Sequence, residues 1–332
     1  MTLSPMLRLL LWPLSLVYGE LGRLRAWLYA QEFLKQKRLD RPVISVGNLT
    51  VGGTGKTPMV IWLAQRLLAE GKRVAILSRG YKGSGGTSDE IEVMKFRLQQ
   101  RTLFGVGADR YEQGKRLEAN VDVFVLDDGF QHLRLARDVN ILLIDAAQPL
   151  ARQTMLPTGN LREPVSAMTR ADILVFTRTE TVPGTSAALE KFQEFPVFSA
   201  ATRLVGFHRF GPGIQVLTTE EIGPGPFYAF CGIGNPRAFF QDLQNWKLPL
   251  ADRCEFADHH RYDARDAREL EDAAQRAGAK ALLTTEKDAQ NLARVKFEAI
   301  PLYIAMIDLE ISKEDAFLSL VREKIETKVS VA

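Results

Sequence analysis

The sequence predicts an α/β fold: a mainly parallel sheet flanked by helices, with an amphipathic helix before it and a second, smaller α/β domain after it. Two observations support this prediction. Short apolar runs without polar alternation recur along the chain, and helical spacing fills several of the intervals between them. Strands that are apolar on both faces and separated by helices are typical of parallel sheets covered on both sides.

The first element, within residues 1–40, is predicted to be a helix that lies on a membrane surface. Its apolar residues recur every three or four positions, and Trp12 and several arginines and lysines accompany them. Apolar, tryptophan-bearing and basic residues together are typical of an interfacial helix. A helix packed on the protein's own body and a cleaved signal peptide remain alternatives. The apolar stripe consists of Leu7, Leu10, Leu14, Val17, Leu21, Leu24 and Leu28.

Residues 41–200 form the predicted core domain. Buried strands are expected at 43–46, 74–77, 123–126, 141–144 and 173–176, with a helix at 59–69. The alternation of apolar runs and helical stretches becomes less regular near 195–210. Glycine and proline are then concentrated at 211–213 and 223–226. Residues 201–332 form the predicted second domain. Its expected strands are 227–230, 281–284 and 302–304, and its helices begin at Pro236, 263 and 312.

Composition restricts the function classes. The chain has 332 residues and a formal net charge of only +3, which gives no reason to expect nucleic-acid binding. Cys231 and Cys254 form no CxxC pair, and four histidines exclude a His-rich metal site. A reduced, cytosolic setting is therefore expected. No obligate protein partner is evident.

A phosphate-binding loop is predicted between the first strand and the first helix of the core. The pattern GxxxxGK[ST] is present except that Thr50 stands where the first glycine belongs. Small residues let backbone N–H groups close around phosphate oxygens at a helix N-terminus. Lys56 would reach the β- and γ-phosphates, and the Thr57 hydroxyl would bind Mg²⁺. The core is thus predicted to be P-loop NTPase-like, with a nucleotide site at Thr50, Val51, Gly52, Gly53, Thr54, Gly55, Lys56 and Thr57.

The strand at 123–126 ends in Asp127 and Asp128, where a Walker B carboxylate is expected to hold Mg²⁺. A helix N-cap is the alternative role. Guanine specificity would call for Asn-Lys-x-Asp after a later strand, but the strand ending at Phe176 is followed by Thr-Arg-Thr-Glu. ATP is therefore the expected nucleotide.

A glycine-rich loop at 78–90 follows the second strand, and such loops lie at the ligand edge of these sheets. Asp89 or Glu90 could accept a proton from a substrate hydroxyl, because phosphoryl transfer needs a base near the nucleophile. Capping of a helix is the alternative for Asp89. His259, beside acids and an arginine at 257–262, could orient a base or bind phosphate, but a lone histidine is more often structural.

Five motifs occur in order: GNLTVGGTGKTP at 47–58, SRGY at 78–81, DDGFQH at 127–132, LREP at 161–164 and TEKDA at 285–289. Together they resemble the tetraacyldisaccharide 4′-kinase family, the lipid A kinases of Gram-negative bacteria. The resemblance runs from the N-terminal helix to about residue 310. It implies transfer of the ATP γ-phosphate to the 4′-hydroxyl of a tetraacylated glucosamine disaccharide 1-phosphate.

The resemblance also implies roles for individual residues. Asp89 matches the family's base and His259 its orienting partner, although Ser88 replaces the usual glycine before the acid. Asp128 and Glu163 match acids associated with Mg²⁺, with Asp127 beside them. Arg162 matches a basic residue near the phosphates.

A lipid substrate accounts for the N-terminal helix and implies a peripheral or monotopic place at the cytoplasmic face of the inner membrane. Because Asp89 and His259 fall in different predicted domains, domain closure about a hinge at 211–226 is expected to bring them together. The rival functions are a regulatory P-loop ATPase or metallochaperone, a soluble small-molecule kinase, and a non-enzymatic membrane-binding module.

Overall fold

Two units make up the chain in its computed structural model, which describes residues 4–80, 88–99, 101–150, 153–182, 192–211, 215–292 and 295–329. The first unit comprises Met1–Tyr81, Arg97–Ala201 and Leu309–Ala332, and the second comprises Lys82–Phe96 and Thr202–Asp308. Two strands and one helix contribute residues to both.

The first half of the chain contains α1 (Pro5–Ala30), β1 (Val43–Asn48), α2 (Lys56–Ala69), β2 (Val74–Ser78), α3 (Asp89–Leu98), β3 (Leu103–Val106), α4 (Arg110–Leu117), β4 (Val123–Asp127) and β5 (Val139–Asp145). The second half contains β6 (Ile173–Thr177), β7 (Val197–Arg209), β8 (Val216–Leu217), β9 (Phe227–Cys231), α5 (Pro236–Asn245), β10 (Leu250–Glu255), α6 (Ala264–Arg276), β11 (Ala281–Thr285), α7 (Glu286–Asn291), β12 (Leu302–Ile311) and α8 (Glu314–Val329).

The first unit contains a parallel sheet in the order β7-β6-β5-β1-β4-β2-β3. Every residue of β1, β2, β4, β5 and β6 is buried, as expected for strands covered on both faces. The five strands predicted for the core are therefore confirmed. In the register of β1 and β4, Val46 lies opposite Asp127, so the start of the P-loop and the Walker B acids share one sheet edge.

The second unit contains parallel strands in the order β10-β9-β11-β12, and β8 pairs antiparallel with β7. Phe227, Phe230 and Phe240 are fully buried in its two apolar cores. The strands predicted at 227–230, 281–284 and 302–304 are confirmed. Four strands were not predicted. Strand β10 is largely exposed, β7 lies where the apolar pattern is less regular, and β3 and β8 are short.

Helix α1 combines a packed face with an exposed one. Ser15 is buried, and its Oγ lies 2.9 Å from Thr158 Oγ1. Leu9 and Leu10, by contrast, are 77% and 74% exposed. Pro13 lies inside the helix. In the part of the chain that the structure describes, no helix is long and apolar enough to cross a membrane.

The two units differ from the three predicted domains at three places. Residues 1–40, predicted as a separate helical segment, belong with the first unit. Residues 82–96, which include the start of α3, belong with the second unit, and Leu309–Ala332, which contains α8, belongs with the first. Contiguous boundaries could not express this division, because each unit is assembled from separate stretches of chain.

Candidate functional site

The P-loop connects β1 to α2 in the first unit. Gly52 and Gly55 have φ angles of 114° and 86°, a left-handed region that favours glycine. The Thr177 hydroxyl donates to Thr54 O at 3.1 Å, and the Arg178 guanidinium donates to Gly53 O at 3.2 Å. The loop is thus held by the residues that end β6, and helix α2 begins directly after it at Lys56.

Thr50 occupies the position of the missing first glycine, and the structure shows why a side chain fits there. Its backbone forms an antiparallel bridge with Leu161. Its Oγ1 accepts a hydrogen bond from Asn48 Nδ2 at 3.3 Å. The next residue, Val51, donates its N–H to Asn160 O at 2.7 Å. Asn160 and Leu161 therefore support the beginning of the loop. They directly precede Arg162 and Glu163 in the chain.

Lys56 and Arg162 converge on Asp128. Lys56 Nζ lies 3.6 Å from Asp128 Oδ1, and Arg162 Nη1 donates to Asp128 Oδ2 at 2.7 Å. Lys56 Nζ also donates to Asn48 Oδ1 at 3.2 Å. Burial opposes ionisation of Asp128, but the two cations hold the pKa of its carboxyl below its usual range. Asp128 is therefore an anion between two cations, at a helix N-terminus suited to phosphate.

Asp127 and Glu163 make different contacts. Asp127 ends β4, and its Oδ2 accepts a hydrogen bond from the Ser78 hydroxyl at 3.0 Å. Glu163 pairs with Arg170, whose guanidinium lies 4.7 Å from the centre of the Phe130 ring. Both acids are buried. The structure thus separates Asp128, held by the P-loop lysine, from Asp127, held by the end of β2.

The oxygen donors of this region suit Mg²⁺, which prefers carboxylates and hydroxyls. Asp128 Oδ1 is buried and accepts no hydrogen bond from any described residue. A buried oxygen that accepts no hydrogen bond and has the Lys56 ammonium 3.6 Å away can still bind a metal cation. Asp127, Asp128 and Glu163 supply carboxylates, and Thr57 supplies a hydroxyl at the second residue of α2. The donor types of these four residues are those that Mg²⁺ prefers, but Asp127, Asp128 and Glu163 do not form a group of ligand atoms within 4.8 Å of one another, so their role as its ligands stays a prediction.

Asp89 lies in the second unit, at the start of α3. The alternative that Asp89 caps this helix is wrong, because Ser88 does so: its hydroxyl accepts the Ile91 N–H at 3.4 Å. A serine in place of the family's glycine thus satisfies a helix N–H and leaves the Asp89 carboxylate for other partners. Residues 81–87 of the glycine-rich loop lie outside the described residues.

The Asp89 carboxylate contacts His259, 170 residues further along the chain. His259 Nδ1 lies 2.9 Å from Asp89 Oδ2 and 3.1 Å from Oδ1. The Asp89 side chain is only 8% exposed, whereas that of His259 is 50% exposed. Both residues belong to the second unit. The expectation that domain closure brings them together is therefore wrong: they are in contact within one unit.

A tight turn after β10 presents His259. Its φ is 60°, and its N–H donates to Gly232 O at 3.0 Å. A side chain at Gly232 would meet Ala257 O at 2.9 Å, so the close approach requires glycine. The adjacent His260 is structural by comparison, because its ring stacks on Phe256 and lies 2.9 Å from Asp266 Oδ2.

Lys287, to which the sequence analysis gave no role, lies among these residues. Its Nζ is 3.1 Å from Asp258 Oδ1, 3.2 Å from Glu90 Oε1 and 3.8 Å from Asp89 Oδ2. It follows β11 at the start of α7. The sequence feature that could have identified Lys287 is its place at the carboxyl end of a buried parallel strand, since that edge of the sheet faces ligands in such folds.

The surroundings shift the pKa values of Asp89 and Glu90 in opposite directions. Burial, together with the negative charge of Glu90, raises the pKa of the Asp89 carboxyl. Burial acts on Glu90 in the same direction, but Lys287 and a hydrogen bond with Asp89 lower the pKa of Glu90 to about 2. Asp89, Glu90 and His259 have ligand atoms within 4.8 Å of one another, yet the Lys287 ammonium already supplies the cation there. Asp89 is therefore the carboxylate better suited to take up a proton.

Comparison with known proteins decides the family. The family model described as tetraacyldisaccharide-1-P 4′-kinase (LpxK) matches residues 7–326. The chain belongs to this family. Tetraacyldisaccharide 4′-kinases of Geobacter metallireducens and Geobacter sulfurreducens are each 41% identical to it; the matches cover 90% and 88% of this chain and 92% and 86% of the relatives. The crystal structure of LpxK from Aquifex aeolicus in complex with ATP is 32% identical, with a TM-score of 0.76, covering 96% of this chain and 99% of that one.

Membership confirms the resemblance drawn from the five motifs and the P-loop α/β fold class. It also identifies the chain as a kinase, which sets aside the ATPase-switch and non-enzymatic alternatives. The roles of individual residues are not decided by this match and rest on the geometry above.

Proposed function

We propose that this kinase transfers the γ-phosphate of ATP to the 4′-hydroxyl of tetraacyldisaccharide 1-phosphate in an Mg²⁺-dependent reaction. Relatives carrying the name of that activity match most of the chain. The single observation that favours transfer to an alcohol over nucleotide binding alone is the Asp89–His259 contact. A buried carboxylate beside an imidazole is the arrangement that proton removal from a hydroxyl requires.

The first unit supplies the phosphate site in this proposal. Lys56, at the N-terminus of α2, neutralises charge on the β- and γ-phosphates, and the loop from Thr50 to Thr57 surrounds them. Arg162 is paired with Asp128, so a bound phosphate would share this guanidinium with the carboxylate. Transfer of a phosphoryl group depends mainly on positioning and on such fixed charges.

Thr57, Asp127, Asp128 and Glu163 are the residues that would hold Mg²⁺. The ion supplies neutralisation of the charge on the phosphate oxygens. Asp128 is the strongest candidate for direct contact, because Lys56 and Arg162 lower its pKa and one of its oxygens accepts no hydrogen bond from the described residues. Glu163 would first have to share its pairing with Arg170.

In the second unit, Asp89 accepts the proton of the acceptor hydroxyl, and His259 holds its carboxylate. The pKa of Asp89 is raised by burial and by Glu90, which makes it a better proton acceptor than an ordinary surface aspartate. The positive charge of Lys287 opposes this rise and favours the ionised carboxylate. His259 acts on the reaction only through this carboxylate.

Helix α1 is proposed to lie on the membrane, at the cytoplasmic face where ATP is present. Its exposed residues include Leu9, Leu10 and Trp12, and apolar side chains of this kind gain free energy in the headgroup region. The packed alternative holds for one face, where Ser15 contacts Thr158. A helix fixed by one face and exposed on the other suits an enzyme whose acceptor is a lipid.

The test is phosphate transfer from γ-labelled ATP to tetraacyldisaccharide 1-phosphate in mixed micelles, with and without Mg²⁺. We expect a labelled lipid that forms only with Mg²⁺, and mass spectrometry should place the new phosphate on the distal sugar. Transfer to a deacylated, water-soluble disaccharide at the same rate would instead favour the soluble small-molecule kinase. ATP consumption without labelled lipid would rule out this acceptor.

A further inference from the structure

Lys287 is the centre of the charged cluster that surrounds Asp89 and His259. Its ammonium lies within 3.8 Å of Asp89, Glu90 and Asp258. It also lies 3.4 Å from His259 Nε2, the ring nitrogen that points away from Asp89. The Lys287 side chain is only 22% exposed, so water screens these contacts weakly.

We propose that Lys287 is a positioning residue that fixes His259 in its neutral, Nδ1-protonated tautomer. In this tautomer the Nδ1–H group donates a hydrogen bond to the Asp89 carboxylate, which stays ionised. This inference rests on the proposed role of Asp89 as the base. It assigns to Lys287 a function that neither the motif nor the fold specifies.

The donors and acceptors around the ring determine which nitrogen carries the proton. A lysine ammonium has three N–H donors and no acceptor. A ring nitrogen that faces it at hydrogen-bonding distance must therefore be the acceptor and carry no proton. In a neutral imidazole the proton then resides on Nδ1. That nitrogen lies 2.9 Å from Asp89 Oδ2, where a donor is needed, because two lone pairs at this distance would repel.

The other neighbours of the ring are less suited to be the partner of Nε2. Asp258 Oδ2 lies 3.7 Å from His259 Nε2, beyond hydrogen-bonding distance, while Asp258 Oδ1 accepts from Lys287. Asn291 Nδ2 donates to Asp89 Oδ2 at 3.4 Å and carries no charge. Glu90 faces Lys287 rather than the ring. The groups around the imidazole therefore leave the ammonium as the partner of Nε2.

Lys287 is well suited to remain charged. Burial disfavours its ammonium, but Glu90, Asp89 and Asp258 together raise its pKa above the ordinary value. Its charge also opposes the burial that raises the pKa of Asp89. The lysine thus favours the ionised form of the Asp89 carboxylate.

The direct test is the tautomer of His259, read from the ¹⁵N chemical shifts of its ring in protein labelled at histidine. The chain has four histidines, and the signal that disappears in His259→Gln identifies the ring. At about pH 8, where an unperturbed imidazole is neutral, we expect a protonated Nδ1 and an unprotonated Nε2. A protonated Nε2 in the wild-type enzyme would overturn the proposal. This measurement does not depend on the substrate, so it stands apart from the test of kinase activity.

Lys287→Met removes the charge and keeps the length of the side chain. We expect the Nδ1–H tautomer to lose its dominance, and kcat to fall roughly 10- to 100-fold with little change in the KM for ATP. Lys280→Met is the matched control, because Lys280 is exposed in the same unit, and it should match the wild type. Lys287→Arg, which retains a donor-only cation, should restore the tautomer at least in part.

The pH profile gives a third readout. Lys287 lowers the pKa of Asp89 against the effect of burial, so its removal should raise that pKa further. The acid limb of kcat/KM should then move upward by roughly one pH unit, because an opposite charge at this distance shifts a carboxyl by about that much or more. An unchanged tautomer and an unchanged acid limb in a folded Lys287→Met protein would contradict the proposal.

Discussion

The two regions proposed to act in the reaction are built in opposite ways. Around Asp128 in the first unit, one carboxylate lies between two cations, Lys56 and Arg162. Around Lys287 in the second unit, one cation lies among three carboxylates. An excess of positive charge suits the phosphates of a nucleotide, whereas an excess of carboxylates suits proton uptake.

The regions differ also in how the chain assembles them. The P-loop is one continuous stretch whose backbone conformation depends on glycines at fixed positions. The Asp89–His259 contact joins residues 170 positions apart, and Lys287 belongs to a third segment of the chain. A phosphate site can thus be specified locally, while the proton-transfer site depends on how α3, α7 and the turn after β10 pack in the second unit.

The largest effect is expected for Lys56→Met. Loss of this charge removes the fixed cation beside the β- and γ-phosphates, and transfer should fall by about 10³-fold or more. ATP affinity, measured by equilibrium dialysis, should weaken as well. Lys72→Met, an exposed lysine after α2, is the control and should retain both properties. Near-normal transfer in Lys56→Met would remove the P-loop lysine from the mechanism.

A smaller loss is expected for His259→Gln. Glutamine keeps a polar group near Asp89 but cannot reproduce the ring contact, so kcat should fall roughly 10- to 100-fold with ATP affinity preserved. The neighbouring substitution His260→Gln should leave kcat intact while lowering the melting temperature, because His260 contacts Asp266 at the start of α6. Equal losses of kcat in the two variants would mean that His259 has only a structural role.

Membrane binding tests the exposed face of α1. Leu9→Glu combined with Leu10→Glu should weaken binding to vesicles of anionic phospholipid about 10-fold or more, because two large apolar contacts are lost. Flotation or co-sedimentation would measure it. Leu103→Glu, at an exposed leucine of β3, is the matched control. Wild-type vesicle binding in the double variant would favour a helix that is merely packed on the protein.

The smallest effect is expected for Ser15→Ala. This change removes the buried hydrogen bonds of the Ser15 hydroxyl to Thr158 and should lower the free energy of unfolding by about 1 kcal/mol. Thermal unfolding would measure it. A double-mutant cycle with Thr158→Val would separate the contribution of the shared hydrogen bond to the free energy of unfolding from the other effects of each substitution. Full additivity of the two changes would show that the bond does not hold α1 against the rest of the first unit.

Much of the first unit could be predicted from the sequence, because its strands are apolar on both faces and its loop has a fixed spacing. The five buried strands and the position of the P-loop illustrate this. Strand β7 escaped prediction because its residues are only partly buried and show no continuous apolar run. The identity of the helix cap at Ser88 escaped it too, since either Ser88 or Asp89 could cap α3 by residue type.

The second region was harder to predict for a different reason. Asp89 and His259 were connected through the resemblance, not through any spacing in the sequence. Lys287 belongs to a motif that supported the resemblance, but its partners come from two other segments and only the fold brings them together. The grouping of residues 82–96 with the second unit likewise follows from tertiary contacts.

Asp89→Asn tests the division of roles between the two regions most directly. The account predicts that kcat for lipid phosphorylation falls by about 10²- to 10⁴-fold, the range expected for loss of a general base. ATP affinity should remain within about twofold of the wild type, because Asp89 is not proposed to contact phosphate. A twofold change corresponds to less than about 0.5 kcal/mol of binding free energy. A parallel loss of ATP affinity and kcat would instead assign Asp89 to the nucleotide or metal site and contradict the account.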